Sequence, residues 1–198
     1  RLFRRLPIQQ FRFPLRRKDQ AVPRVFEHRV ADIPGGVSVK TSELGGDYLF
    51  EGTPLSAPDN GICHVVKQAV VTAKVEATET EVKVQKGHHF KVDDVLLLNV
   101  GGKASKITKI DTSKKDSDTL TLSAAIGEIP VLSVVAEAKA ATMADDAELK
   151  YIPLSLSGTG RPVVQGDNLD TDAWTIGTTR GATLHPDVEK HLKGIVNY

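Results

Sequence analysis

The stretches that decide the fold are TEVKVQK at residues 80–86 and TLTLS at residues 119–123. In both, apolar and polar side chains clearly alternate. Because successive side chains of a β-strand point to opposite faces of a sheet, a period of two in so short a run predicts a strand with one buried and one solvated face. These stretches therefore indicate antiparallel β structure.

Similar short runs follow one another along the chain and are separated by turn residues. They lie at residues 47–51, 62–66, 69–77, 95–100, 104–111 and 131–136, and Gly101-Gly102 between two of them predicts a hairpin. One helix is expected near the C-terminus, where Pro186 suits a first helical position, Leu184, Val188 and Leu192 recur at a spacing of four, and Gly194 ends the element. We predict a mainly β fold, an antiparallel β-sandwich or small β-barrel with an extended N-terminal arm and one short C-terminal helix.

The charge of the chain is concentrated at its N-terminus. Residues 1–30 contain nine basic and two acidic residues, a net charge of +7, although the whole chain of 198 residues carries only +1. Four of the six phenylalanines also lie there, and Pro7, Pro14 and Pro23 favour an extended path. We predict an arm that lies along another surface, with these contact residues: Phe3, Arg4, Arg5, Phe11, Arg12, Phe13, Arg16, Arg17 and Phe26. Two alternatives stay open: packing on the chain's own acidic body, and binding of nucleic-acid phosphates, which ranks lower because apolar anchors are as prominent as charge.

This pattern divides the chain into an arm at residues 1–33, a β-rich body at 34–150, and a C-terminal segment at 151–198 that completes the body. The runs at 95–100 and 131–135 are too uniformly apolar for strands with one solvated face. Because unpaired sheet edges favour closed symmetric assembly, we expect a homotrimer whose interface contains Leu97 and Val134.

Residues capable of chemistry are few, and their spacing is unfavourable. A single cysteine excludes a disulfide framework and a cysteine-based zinc site. In strands, the neighbours Cys63 and His64 diverge, as do His88 and His89, so we predict a buried structural cysteine and neither a catalytic dyad nor a metal site. Residues 167–172 resemble a calcium loop only in charge, and we interpret them as a solvated loop. Residues 158–162 lack the third glycine of a dinucleotide loop. We expect no enzyme activity, no cofactor and no metal.

Membrane insertion and secretion are also not expected. No apolar run approaches the roughly 20 residues needed to cross a bilayer, and the basic N-terminus lacks the apolar core of a secretory signal. Since the only methionine is Met143, we expect the printed chain to be processed or to lack upstream residues.

Several stretches resemble a family of tailed-phage head proteins, the head fibre or decoration proteins of phages and prophages of Bacteroidales. The similar stretches are VADIPGGVSVK at 30–40, SELGGDYLFEGTPL at 42–55, NGICHVVK at 60–67, KGHHFKV at 86–92, LDTDAW at 169–174 and HLKGIVNY at 191–198. They span roughly residues 30–198 and are structural in character. The resemblance implies a virion component on the capsid surface, made in the cytoplasm of a bacterial host, with the major capsid protein as partner, often trimeric, and without a reaction of its own.

Two other classes of function remain open at this point. One is a receptor- or glycan-binding module on the particle surface, against which the aromatic content of 5% argues. The other is a hydrolase that uses Cys63 or a set of His and Asp residues.

Overall fold

The computed structural model describes residues 24–198. Sixteen strands, one short α-helix and one 3₁₀ helix (Thr41–Glu43) form this part of the chain. The strands of the first half are β1 (Phe26–Asp32), β2 (Val37–Val39), β3 (Tyr48–Leu49), β4 (Pro54–Ser56), β5 (Ile62–Cys63), β6 (Gln68–Val70), β7 (Glu81–Gln85) and β8 (Val95–Leu97). The second half contains β9 (Ala104–Asp111), β10 (Ser117–Leu122), β11 (Val134–Ala138), β12 (Pro153–Ser157), β13 (Arg161–Pro162), β14 (Leu169–Thr171), β15 (Ala173–Thr179), α1 (Pro186–Glu189) and β16 (Ile195–Asn197). The predicted mainly β fold class with one short C-terminal helix is confirmed.

Six antiparallel strands form a sheet that closes on itself, as in a small barrel. Its order is β6-β11-β8-β9-β10-β7, and Val71, directly after β6, bridges to Val84 of β7. The Thr72 N–H also donates to the Lys83 carbonyl at 2.8 Å. The alternating stretches from which the fold was predicted are neighbouring strands here, since Leu120 lies opposite Val82. We call this unit the closed sheet.

The interior of the closed sheet is a packed apolar core. Val82, Val84, Leu120 and Leu122 point into it, and the polar residues between them point outward. The predicted hairpin at Gly101-Gly102 is also present, because β8 and β9 pair as antiparallel neighbours on either side of it. Alternation in the sequence therefore reports directly which face of each strand is buried.

A five-stranded sheet packs beside the closed sheet. Its path is β1-β15-β12-β4, and β16 pairs in parallel with β15. The helix α1 is only four residues long and ends at Glu189, before the predicted end at Gly194, so Leu184 and Leu192 lie outside it. Leu184, Val188 and Leu192 are nevertheless all buried. They pack in one core with Leu97.

Two smaller sheets, β14-β2-β5 and β13-β3, complete the body. Their core includes Val39, Leu49 and Cys63. The strand β14 corrects the interpretation of residues 167–172 as a solvated loop, because Leu169 and Thr171 are buried and pair with β2.

The boundary between arm and body also differs from the prediction at residue 33. Strand β1 occupies residues 26–32 and pairs along β15, from Phe26 opposite Thr179 to Asp32 opposite Trp174. These residues therefore belong to the body.

Candidate functional site

The junction between the basic N-terminal segment and the body is the best-defined site for a function based on attachment. Of the predicted arm contacts, Phe3, Arg4, Arg5, Phe11, Arg12, Phe13, Arg16 and Arg17 lie outside the described residues. Phe26 lies in β1, half-buried against the body's core. Its N–H donates to Glu51 Oε1 at 3.0 Å. Phe26 therefore belongs to the first strand of the body and not to the predicted arm that lies along another surface.

Arg29 joins β1 to three other segments of the body. Its guanidinium donates to the Gly158 carbonyl and lies 3.3 Å from Glu51 Oε1 and 3.9 Å from Asp172 Oδ2. The same group lies 5.4 Å from the ring centroid of Phe26 and 5.5 Å from that of Trp174. We call Phe26, Arg29, Glu51, Asp172 and Trp174 the Arg29 clasp. It holds the first strand to the body by charge, hydrogen bonds and cation–π contacts together.

The carboxylates of the clasp are held in place by further donors. Asp172 Oδ2 accepts from the Trp174 indole N–H at 2.7 Å. Burial raises the pKa of Asp172, but the hydrogen bond from Trp174 and the charge of Arg29 contribute to a net pKa below its ordinary value. Asp172 is therefore ionised at neutral pH and complements the arginine.

Gly158 fits this arrangement because it has no side chain. A Cβ at this position would lie 2.2 Å from both Asp172 Oδ2 and Trp174 Nε1. Gly158, the first glycine of the stretch that resembled the start of a dinucleotide loop, thus allows the chain to pass close to the clasp. Strand β13, not a helix, follows this glycine.

An open groove of about 580 Å³ adjoins the clasp. Arg24, Arg29, Tyr48 and Gly160 are among the residues that line it. Because Arg24 is the first described residue, the groove lies where the basic segment joins the body.

The predicted divergence of Cys63 and His64 is observed. Cys63 is fully buried in the core of the small sheets, and burial raises the pKa of its thiol. His64 points away toward Glu43, with 2.8 Å between Nδ1 and Oε2, and its ring stacks on Tyr151 at 4.3 Å between centroids. The prediction of a buried structural cysteine is confirmed, and the two side chains do not form a dyad.

His88 and His89 also have separate environments. His88 Nε2 lies 3.3 Å from Asp118 Oδ2. His89 is buried, and burial together with the nearby His88 and Lys67 lowers its pKa to about 4. Within residues 24–198, no group of three or more His, Cys, Asp or Glu side chains is placed to hold a metal ion.

A buried charge cluster was missed by the sequence analysis. The Lys67 ammonium is almost fully buried, 2.6 Å from Asp94 Oδ2 and 3.4 Å from Glu137 Oε1. Glu137 is itself buried and also pairs with Lys150 at 2.7 Å. Burial raises the pKa of Glu137 despite these partners. The one hint in the sequence is Glu137, a single charged residue inside the apolar run 134–138. A carboxylate buried in such a run requires a cationic partner, which indicates a buried ion pair.

The structure excludes Leu97, one of the two predicted interface residues, from an oligomer interface. Leu97 is fully buried and packs in one core with Leu184, Val188 and Leu192, so the chain's own C-terminal segment covers it. The assignment of Leu97 to an oligomer interface is therefore wrong. Val134 is half-buried at the start of β11 and stays a prediction.

Comparisons with known proteins give no family assignment: no protein-family model, no curated protein and no solved structure matches the chain. In the described part, no helix is long and apolar enough to span a membrane.

Proposed function

We propose that this protein is an auxiliary structural protein of a virion, a head fibre or decoration protein. It binds the capsid shell through its N-terminal segment and projects its β body from the capsid surface. The observation that carries the proposal is the junction itself: residues 1–25, with a net charge of +7 and three phenylalanines, lead into strand β1, which the Arg29 clasp fastens to the body. A strand held firmly to the body suits an attachment segment, because a force on the segment is then transmitted to the whole fold.

Within the N-terminal segment, the phenylalanines should contribute more to the binding free energy than the arginines. Each phenylalanine that is buried on the shell contributes about 1.5–3 kcal/mol, whereas an exposed ion pair contributes about 0–1 kcal/mol. The major capsid protein is the proposed partner, and a homotrimer is the proposed state of the body. Neither catalysis nor a cofactor belongs to the proposal.

The test uses particles of the phage or prophage whose genome encodes the chain. The full-length protein and residues 24–198 are added to particles that lack the protein, and binding is measured by co-sedimentation. We expect the full-length protein to bind and the shortened one to remain soluble, folded and unbound. Equal binding of the two would overturn the proposal.

A matched pair of variants separates apolar anchoring from charge. Phe11→Ala with Phe13→Ala is expected to weaken binding more than Arg16→Ala with Arg17→Ala. If the double arginine variant weakens binding more than the double phenylalanine variant, and binding falls steeply with increasing salt, the segment binds mainly to negatively charged groups such as phosphates.

A further inference from the structure

The buried charge cluster at Lys67 brings an amine and two carboxyl groups together inside the fold. Lys67 directly precedes β6, Asp94 directly precedes β8, and Glu137 lies on β11, which pairs with both strands. The side chains of Lys67 and Glu137 are 2% and 1% exposed, and that of Asp94 is 12% exposed. Lysine and glutamate are almost never buried to this degree unless they are paired, and a buried pair often stabilises a fold no better than apolar side chains of similar volume. The burial of this cluster therefore points to a chemical role.

The amine of Lys67 is in position to attack the carboxyl carbon of Asp94. Its Nζ lies 2.6 Å from Asp94 Oδ2. Near-attack geometries place the reacting atoms about 3–3.5 Å apart, a separation that is available to a nitrogen so close to a carboxyl oxygen. The Lys91 backbone N–H also donates to Asp94 Oδ2, at 2.6 Å. A donor held at this oxygen stabilises the negative charge that develops on it when the carbon is attacked.

Glu137 is placed to transfer protons between these groups. Its Oε1 lies 3.4 Å from Lys67 Nζ and accepts a hydrogen bond from Lys150 at 2.7 Å. Its Oε2 is buried and has no hydrogen-bond partner among residues 24–198. Burial raises the pKa of Glu137, so its carboxyl group takes up a proton more readily than an exposed glutamate does, and Oε2 is free to carry that proton.

The surroundings of the cluster favour uncharged reactants. The residues that flank Lys67 and Glu137 in sequence include Val66, Ala136 and Ala138, which are buried in a packed apolar core. Transfer of one proton from the Lys67 ammonium to the Asp94 carboxylate, along their hydrogen bond, replaces two charges by an amine and a carboxylic acid, and an apolar medium favours such uncharged forms. The unprotonated amine is the nucleophilic form of lysine.

We propose that Lys67 and Asp94 condense to an amide bond within the folded chain, with Glu137 as the group that transfers the protons. The lone pair of Lys67 Nζ forms the new bond to Asp94 Cγ, and Oδ2 becomes the amide oxygen. The bond between Cγ and Oδ1 breaks, and Oδ1 leaves as water with two of the three protons of the original ammonium group, which pass through Glu137. Glu137 ends in the protonation state in which it began, and the step uses no oxidant, reductant or cofactor.

The bond joins the start of β6 to the start of β8 across β11, the strand between them in the closed sheet. It closes a covalent loop of residues 67–94, which contains β6 and β7. Such a link constrains the unfolded chain in the same way as a disulfide does. The single cysteine cannot form a disulfide within the chain, so the amide bond is a covalent link that needs no thiol.

The first test measures the mass of the full-length chain under denaturing conditions. After incubation of the folded chain at neutral pH, we expect a mass lower than that of the sequence by one water molecule, and a branched tryptic peptide that links Lys67 to Asp94. Lys86 and Asp118 are the internal control, because Nζ and Oδ1 lie 2.5 Å apart but the Lys86 side chain is 37% exposed, so this pair should stay unlinked. A folded chain with the full mass, or a link from Lys67 to Glu137, would overturn the proposal.

The second test removes the proton transfer but keeps both reactants. Glu137→Gln has nearly the same size and should form the bond at least about a hundredfold more slowly, because general acid–base catalysis contributes roughly 10²–10⁴-fold. Lys150→Gln is the matched control: it removes another partner of Glu137 and should still form the bond. Circular dichroism shows whether each variant is folded, and if Glu137→Gln is not, the mass of the parent chain decides. Bond formation at the parent rate in folded Glu137→Gln would overturn the role of Glu137. Neither test requires a virion, so failure here leaves the capsid-binding experiment to decide the proposed function.

Discussion

Replacing Arg29 by methionine is expected to destabilise the folded chain by about 2–4 kcal/mol. The substitution removes two cation–π contacts of about 0.5–1 kcal/mol each and a charged hydrogen bond to Gly158 of about 1.5–3 kcal/mol. It also leaves the buried Glu51 carboxylate without its cation. The contributions overlap because a single guanidinium makes all of them, and its side chain is 37% exposed and partly screened by water, so the expected total lies below their sum.

Arg180→Met is the matched control for this prediction. Arg180 also pairs with a glutamate, Glu27 at 3.4 Å, and also lies over an aromatic ring, that of Tyr198 at 5.3 Å. Its side chain is 65% exposed, however, and water screens its ion pair, so the expected loss is much smaller than for Arg29→Met. The two substitutions remove the same chemical group, so the difference between them measures the clasp.

Urea unfolding measures both variants, and hydrogen exchange locates the effect. The midpoint for Arg29→Met should fall with an unchanged slope, and the thermal midpoint should fall by roughly 4–16 °C. Amide exchange should accelerate in β1 before it does so in the closed sheet. Equal losses for the two arginine variants, or normal protection of β1 in Arg29→Met, would refute the clasp as the fastening of the first strand.

Three further predictions concern buried polar groups. Lys67→Met leaves Asp94 and Glu137 without their shared cation and should lower the free energy of unfolding in urea by about 3–5 kcal/mol. The double variant Lys67→Met with Glu137→Leu should recover at least half of that loss. A Lys67→Met variant as stable as the parent would contradict the role of the cluster. His89 has a folded pKa of about 4, below its unfolded value of about 6.5, so the unfolded chain binds the proton more readily and stability falls as the pH drops from 6.5 to 4, by roughly 3 kcal/mol from this residue. His89→Gln should flatten that part of the stability–pH curve, and an unchanged curve would refute the assignment. The Cys63 thiol should react with a disulfide reagent only on unfolding, and Cys63→Ala should leave binding to particles intact; rapid labelling of the folded chain would show that the thiol is accessible.

Local patterning in the sequence predicted those parts of the fold that depend on neighbouring residues. The alternation at 80–86 and 119–123 gave two strands with the correct inward faces, and Gly101-Gly102 gave a hairpin. Both features arise from periodicity and turn chemistry within a few residues. Strand β14 was missed because its acidic composition suggested a loop, although Leu169 and Thr171 alternate with Asp170.

The Arg29 clasp could not be predicted in the same way. Its members come from β1, the turn after β3, the junction between β14 and β15, and β15 itself, and only the folded chain brings them together. Strand β1 itself is mostly exposed and pairs with a partner almost 150 residues away. Because the basic residues continue into β1, charge alone could not indicate that the N-terminal segment ends, and the body begins, at this strand.

The two predicted interface residues show what an apolar run can and cannot specify. Leu97 and Val134 were both chosen because their strands have too few polar residues for one solvated face, and each strand does have a second face that is largely withdrawn from water. Periodicity reveals that something covers the second face, but not whether the cover is the same chain or another copy. At Leu97 the cover is the segment around Val188 and Leu192, more than 85 residues away in sequence. At Val134 that segment ends, and the exposed turn with Leu132 begins. Of the two residues, only Val134, at the uncovered end of the closed sheet, is therefore still a candidate for contact with another copy.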